Sequence, residues 1–415
     1  NSAAQQAQTH TRGSLQLMRW VALMPLRGNS KSIPGKNVRS IAGRPLFAWG
    51  LEQAIASRCF DAIYVATDLP EIRKRVSDEF PSAVTIMARS AATCTDTAST
   101  ESVMLEFQQQ IHFDVICLIQ ATSPLTRAED FCAAKHKFLA ENLDSLLTAV
   151  QSKRFFWTLA GAPVNYDPSK RPRHQDFEGY LMENGAFYLT RAKLLEDDGC
   201  RLGGRIGIHE MAAETAIEID NETDWIIVEQ LLLEQKSTLV KTSASRVKAL
   251  VLDVDGTLTD GGMYYGPAGE TLKKFNTRDA HGMQLLRENG IRVCVISREK
   301  SPAVDARMRK LLIDEYYPGV QDKLPLLLEL TQRWDTPMRN IAYIGDDLSD
   351  LECLSRVGTA FCPADSVPEI VRQAHYVCKH VGGNGAVREA CDLILKAQQL
   401  QSLEAKTPMC KYSAE

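Results

Sequence analysis

Leu23-Met24-Pro25-Leu26-Arg27-Gly28-Asn29-Ser30-Lys31-Ser32-Ile33-Pro34-Gly35-Lys36-Asn37 closes an apolar run that begins at Trp20 and opens a loop rich in glycine, serine and cations. An apolar run that stops at such a loop reads as a buried strand delivering a turn at its carboxyl end. Gly28 and Gly35 allow backbone N–H groups a close approach, and Arg27, Lys31 and Lys36 bring positive charge. This equipment suits a triphosphate, whose charge otherwise repels an incoming nucleophile. A basic surface loop after a core strand has the same composition, and composition alone leaves the two readings even. The spacing is neither that of a Walker loop nor that of a dinucleotide fingerprint.

Outward from this stretch, apolar runs alternate with amphipathic ones. Strands are predicted over residues 62–67, 84–87, 115–120 and 145–150, and helices over 70–80, 99–111 and 128–141. The alternation implies an α/β fold, a Rossmann-like, mostly parallel sheet with helices on both faces. In such sheets ligands gather at the carboxyl ends of strands, where the candidate motifs lie. Between 151 and 185 the rhythm breaks.

Arg27-x-x-Ser30-Lys31-x-Ile33-Pro34-x-Lys36-Asn37 resembles the signature of the CMP-sialic acid synthetase family, the acylneuraminate cytidylyltransferases. More loosely it resembles enzymes that activate 3-deoxy-manno-octulosonate. The resemblance runs to about residue 235. It implies CTP and a nonulosonic acid as substrates, with Arg27, Gly28, Asn29, Ser30, Lys31, Lys36 and Asn37 on the nucleotide. Arg89, Ser99 and Thr100 match positions near the cytidine, while Asp96 reads as a helix cap. Gln120-Ala121-Thr122-Ser123-Pro124-Leu125 matches a family motif except that Ala121 replaces a proline, and it implies a sugar contact at Gln120.

Lys170-Arg171-Pro172-Arg173-His174-Gln175-Asp176 is a basic cluster, by itself a surface loop or a nuclear address. Its similarity to the same segment of animal sialate synthetases implies that Arg173 and Gln175, with Asn184, reach the acidic sugar. Arginine recognises a carboxylate in a bidentate fashion. Glu218-Ile219-Asp220 alternates two carboxylates as a short strand would. The resembled family holds Mg²⁺ with an Asp-x-Asp pair there. This chain has Glu218 at the first place, so Asp220 is the more direct ligand.

A Ser/Thr/Lys-rich linker is predicted at 237–246. It separates a cytidylyltransferase domain, 18–236, from a second domain, 247–398, with a disordered arm at 1–17 and a tail at 399–415. Leu250-Val251-Leu252-Asp253-Val254-Asp255-Gly256-Thr257 ends an apolar strand in two aspartates that share one face. Unpaired carboxylates at a buried strand end are costly, which argues for chemistry there. The motif resembles the haloacid dehalogenase phosphatases. Asp253 is then the nucleophile and Asp255 the acid and base. Ser297 and Lys323 bind phosphoryl oxygens, and Asp346 joins Asp253 and Asp255 around Mg²⁺.

No large insertion separates these motifs, and residues 261–275 read as a hairpin turning at Gly266-Pro267-Ala268-Gly269. This resembles the capless branch that includes 3-deoxy-manno-octulosonate 8-phosphate phosphatase, whose members are typically tetramers. Asp347 and Asp350 read as supporting or structural acids. The resembled two-domain animal enzymes have lost some of these acids. Here Asp253, Asp255, Asp346 and Asp347 are all present.

The chain has 415 residues, enough for two or three domains, and a net charge of −4, which argues against a nucleic-acid or membrane-surface protein. Eleven cysteines with no CxxC pair suit a reducing compartment. No apolar run reaches transmembrane length. The expected setting is cytoplasmic, or nuclear through Lys170–Arg173, although the absence of an initial Met leaves room for a trimmed targeting segment. The expected assembly is a homotetramer through the second domain, with dimeric first domains. Two rivals stand: activation of 3-deoxy-manno-octulosonate, and a second domain that is a silent tetramerisation scaffold.

Overall fold

The computed structural model describes residues 18–27, 32–94, 98–267, 269–313 and 315–406. The predicted arm and the predicted loop residues Gly28, Asn29, Ser30 and Lys31 lie outside the described residues, as does Asp96. The chain divides into two compact units, Asn1–Leu233 and Glu234–Glu415.

The first unit contains β1 (Trp20–Leu26), β2 (Ser40–Ile41), β3 (Arg44–Pro45), β4 (Ala62–Thr67), β5 (Thr85–Ala88), β6 (Val115–Ile119), β7 (Ser145–Ser152), β8 (Tyr180–Arg191) and β9 (Ile206–Glu210). Seven of these form one sheet in the order β5-β4-β1-β6-β8-β7-β9. Every pairing is parallel except those of β8, which runs antiparallel to β6 and β7.

Strand β1 is buried on both faces, and its period of two sends alternate side chains to opposite cores. Ala22, Met24 and Leu26 pack with Phe47 and Leu51 of the helix Leu46–Ser57 and Phe131 and Phe138 of the helix Ala128–Ala140. Val21 and Leu23 pack on the other side with Val103, Met104 and Phe107 of the helix Thr100–Gln108. Sandwiched between helical layers, β1 can deliver a functional loop only at its end. Its partner β4 ends level with it, Leu26 lying beside Thr67.

Two local expectations change. Residues 217–220 form no strand; the Ile219 N–H donates to the Thr122 carbonyl at 3.0 Å, and no ladder continues from it. The predicted linker is helical as far as Ala244, within the helix Glu222–Ala244. Val240 and Ala244, four residues apart, are both buried, which gives the segment an apolar stripe at helical spacing. Ser237 and Thr238 lie on its exposed side, so their weak helix preference is overridden by packing.

The second unit contains β10 (Ala249–Leu252), β11 (Tyr264–Gly266), β12 (Gly269–Leu272), β13 (Arg292–Ser297), β14 (Tyr316–Pro318), β15 (Ile341–Ile344), β16 (Thr359–Cys362) and β17 (Tyr376–Val377). Its sheet, β14-β13-β10-β15-β16-β17, is parallel throughout. Strand β10 is central. Leu250 and Leu252 face one core, Ala249 and Val251 the other. The antiparallel pair β11–β12 is the expected hairpin, with Gly266 opposite Gly269. The helix Ala386–Lys406 runs into the stretch predicted as a tail.

Candidate active sites

In the first unit the basic turn after β1 is joined to two distant segments. Asn37 Nδ2 donates to the Arg27 carbonyl at 2.9 Å, drawing the two ends of the loop together. Lys36 Nζ donates to the Ile219 carbonyl at 2.7 Å and lies 3.7 Å from Asp220 Oδ1. The Ile219–Thr122 bond then ties the acidic segment to the turn that follows Gln120. Cation and carboxylates thus meet across 183 residues of sequence. Burial pulls the Lys36 ammonium below its usual value; Asp220 opposes this and Arg27 adds to it.

Glu218 is pushed up to about 7, first by burial and then by Asp220 and Glu183. An incompletely neutralised carboxylate beside a second one is the donor set a hard divalent cation requires. The Asp220 side chain is 75% exposed and therefore open to a ligand. Its backbone is held by Asp224, whose Oδ2 accepts from the N–H groups of Asp220 (2.9 Å) and Asn221 (3.0 Å). Asn221 returns the bond, accepting from Thr223 and Asp224, so the pair caps the helix Glu222–Ala244. Gly185, at φ +61°, is the reason Glu218 fits: a Cβ there would stand 2.5 Å from Glu218 Oε1. Glu183, which the sequence reading passed over, accepts a short hydrogen bond from the Tyr188 hydroxyl.

The remaining predicted residues are more scattered. Gln120 lies at the end of β6, its N–H on the Ala186 carbonyl at 3.1 Å. Ser99 is the N-cap of the helix Thr100–Gln108, accepting from the Ser102 N–H at 3.2 Å, a capping duty the sequence reading had given to Asp96. The Arg89 guanidinium bonds the Thr93 carbonyl and leaves Nε buried without a partner. Arg173 and Gln175 are exposed in the loop between β7 and β8. Asn184, predicted to touch sugar, is 1% exposed, and its amide donates to Thr215 Oγ1 (3.0 Å) and the Thr215 carbonyl (3.2 Å). It braces β8 from within.

The second unit's site is dense and closed. Asp253 follows β10 and is 6% exposed; Lys323, the first residue of the helix Lys323–Arg333, is 2% exposed. Lys323 Nζ bonds Asp253 Oδ1 at 2.5 Å and Asp350 Oδ1 at 2.7 Å. Asp350, fully buried, also accepts from the Tyr343 hydroxyl at 2.7 Å and the Asp346 N–H at 3.2 Å. Thr257 Oγ1 donates to Asp346 Oδ1 at 3.0 Å. One carboxylate oxygen from each of Asp253, Asp346 and Asp350 lies within 4.8 Å of the others. Gly256, at φ +84°, leaves the room this needs, since a Cβ would stand 2.0 Å from Asp346 Oδ2.

Burial, then Asp350, push Asp253 well above the usual carboxylate range, and Lys323 offsets part of this. Asp346 is raised to about 7 by burial and Asp350. One ammonium among three carboxylates, two buried and Asp346 half-buried, leaves an excess of negative charge, which suits a divalent cation.

Two placements bear on the predicted roles. Asp255 stands apart from this acid cluster: its Oδ1 accepts from Lys273 Nζ at 2.5 Å. Lys273 has a fully buried side chain and also faces Glu270 (3.5 Å) and Glu299 (3.8 Å). Asp350, read as supporting or structural, sits inside the cluster. Its signal was the Asp347-x-x-Asp350 spacing, which here forms a capping box and turns Asp350 inward. Lys273 had no local signal beyond its place after the hairpin. Ser297, 2% exposed, ends β13, and its Oγ accepts from the Glu299 N–H at 3.2 Å.

These features define a protein of two catalytic classes in one chain, a nucleotidyltransferase-type α/β unit followed by a haloacid dehalogenase-like one. The cytidylyltransferase family model matches residues 21–245 and that of haloacid dehalogenase-like hydrolases residues 313–389. N-acylneuraminate cytidylyltransferase A of Danio rerio is 31% identical over 92% of this chain and 90% of its own length. The N-acylneuraminate cytidylyltransferase of Oncorhynchus mykiss is 32% identical over 92% and 90%. The chain therefore belongs to the cytidylyltransferase family, with N-acylneuraminate cytidylyltransferases as relatives over nearly its whole length. A 3-deoxy-D-manno-octulosonate 8-phosphate phosphatase of Salmonella typhi is 41% identical over 39% of this chain and 86% of its own length. A solved structure of that phosphatase from Moraxella catarrhalis, in complex with magnesium ion, phosphate ion and a KDO molecule, is 37% identical over 40% of this chain and 96% of that one, with TM-score 0.38. No helix among the described residues is long and apolar enough to cross a membrane.

Proposed function

We propose that the first unit transfers CMP from CTP to the anomeric hydroxyl of a nonulosonic acid of the N-acylneuraminate class, releasing pyrophosphate. The observation that carries this reading is the Lys36–Ile219–Asp220 junction, which sets a cationic turn against two carboxylates in a chain related over 92% of its length to an N-acylneuraminate cytidylyltransferase. The protein's part is alignment and charge neutralisation rather than covalent chemistry. Arg27 and Lys36, with Lys31, take the triphosphate, Arg89, Ser99 and Thr100 the cytidine end, and Gln120, Arg173 and Gln175 the sugar acid. Glu218 and Asp220 would hold Mg²⁺, as would Asp253, Asp346 and Asp350 in the second unit. Bound there, the ion neutralises charge on phosphate oxygens.

The second unit acts as a sugar-phosphate phosphatase. Asp253 attacks phosphorus, and Asp255, positioned by Lys273, gives its proton to the departing sugar oxygen and then takes one from water. Lys323 and Ser297 steady the phosphoryl oxygens. A nonulosonic acid 9-phosphate is the substrate that would make the two reactions consecutive. Exposed apolar side chains on the β11–β12 hairpin (Tyr264, Tyr265, Leu272) and between β7 and β8 (Trp157, Leu159, Val164) support a homotetramer with paired first units. The cytoplasm, or the nucleus through Lys170–Arg173, is the proposed setting.

A second reading exchanges the nine-carbon acid for 3-deoxy-manno-octulosonate; the 41% identity of the second unit to an octulosonate 8-phosphate phosphatase favours it. Incubation with CTP, Mg²⁺ and a panel of eight- and nine-carbon ulosonic acids and their phosphates tests both. Pyrophosphate release with sialic acids is expected, and clear preference for the eight-carbon acid overturns the first reading. Phosphate release separates a working phosphatase from a silent scaffold.

A further inference from the structure

We propose that Cys59 and Cys132 form a reversible intramolecular disulfide, a modification site that reacts with a small disulfide oxidant of the glutathione type. Cys59 follows the helix Leu46–Ser57, and Cys132 lies in the first half of the helix Ala128–Ala140. Seventy-three residues separate them, yet their sulfurs are 3.2 Å apart. Both thiols converge on one acceptor, the Ser57 carbonyl, each at 3.5 Å. Among the described residues they are the one pair of cysteines whose sulfurs are hydrogen-bonded to each other. A disulfide has its sulfurs about 2.05 Å apart, so closing the bond takes roughly 1 Å of approach, within reach of side-chain rotation.

The pair is asymmetric in a way that orders the chemistry. Cys132 is exposed and Cys59 buried, so an oxidant meets Cys132 first. The Cys132 thiolate attacks one sulfur of glutathione disulfide, forming a mixed disulfide and releasing one glutathione. Cys59, giving up its proton to solvent, attacks the Cys132 sulfur and expels the second glutathione. Two electrons pass to the oxidant, and the two thiol protons end on two glutathione molecules. Lys135, whose Nζ donates to the Cys59 carbonyl at 2.5 Å, places a positive charge near the Cys132 sulfur and favours its thiolate. Partial desolvation of the sulfur and its bond to Cys59 oppose it and hold the Cys132 thiol at about 11. Uncatalysed exchange therefore proceeds over minutes to hours. The bond ties together two helices that share the Phe47–Phe131 core.

The test uses the full chain incubated with glutathione disulfide, alkylated, digested without reduction and read by mass spectrometry. A linked Cys59–Cys132 peptide pair is expected, two hydrogens lighter than the free peptides and dissolved by dithiothreitol. A long closed loop raises the unfolding midpoint, here by about 5 °C or more. Cys132→Ser is expected to abolish the link and the shift, whereas Cys200→Ser, at an exposed cysteine elsewhere in the first unit, preserves both. A lasting glutathione adduct on Cys132 with no link to Cys59, or no oxidation of either residue, overturns the proposal.

Discussion

The two candidate sites solve related problems in opposite ways. Around Asp253 most charges are buried and several are already paired, with Lys323 gripping two aspartates and Lys273 a third. Around Asp220 the carboxylate is three-quarters exposed, its cation is 3.7 Å away, and Arg173 and Gln175, two of the residues predicted to meet the sugar, stand in solvent. A covalent nucleophile has to be in position before substrate arrives, and a buried network supplies that order at the expense of desolvation. Joining two large anionic substrates asks instead for an open floor, whose charges stay solvated until ligands cover them.

The largest separation of the two sites is expected from Asp253→Asn. Phosphate release should fall by about a thousandfold or more, because no carboxylate remains to attack. CMP transfer should be unchanged in the same preparation; a parallel loss in both assays would mean that the sites are not independent. The reciprocal variant is Lys36→Ala. It should lower CMP transfer by roughly a hundredfold and leave phosphate release intact, as paired kinetic assays would show.

A finer division concerns Lys273→Met. Since Lys273 positions Asp255, kcat for phosphate release should fall about tenfold with KM less affected, and the pH profile should move. An unchanged profile would make Lys273 a packing residue only.

The smallest expected effect is on stability. Asp346 and Glu218 rise from ordinary values of 3.8 and 4.5 to about 7 in the folded protein. An acid whose folded value is raised favours the fold most when protonated. Its contribution is complete below about pH 4 and lost as pH climbs through 7. With EDTA present, the Tm should therefore decline between pH 5 and pH 8. Mg²⁺ should reverse more of the decline at pH 8 than at pH 6, since it binds the ionised forms. A thermal melt series with and without the ion measures this.

What could be read in advance depended on how local each signal was. Strand β1 and strand β10 announce themselves as apolar runs ending in chemistry, and the residues that follow them, Arg27 and Asp253, needed no partner to be recognised. The hairpin β11–β12 was legible because its turn residues are adjacent. Asp350 carried little local signal because its contacts depend on Lys323 and Tyr343, which meet it only in the folded state. Asn184 shows the converse dependence. A polar residue beside Gly185 looks wholly available in a sequence, and only the fold shows that its amide nitrogen is committed to Thr215 while its Oδ1 is buried without a partner.

Apolar period, glycine placement and the order of acids and cations settled by themselves that this chain makes two α/β units whose central strands end in charged turns. Such features act over a few residues, so they survive being read in one dimension. Which carboxylate pairs with which lysine was decided by the tertiary structure alone. Charge interactions depend on distance and burial, and Lys36 with Asp220, Lys273 with Asp255 and Lys323 with Asp350 come together only once the sheets have closed around them.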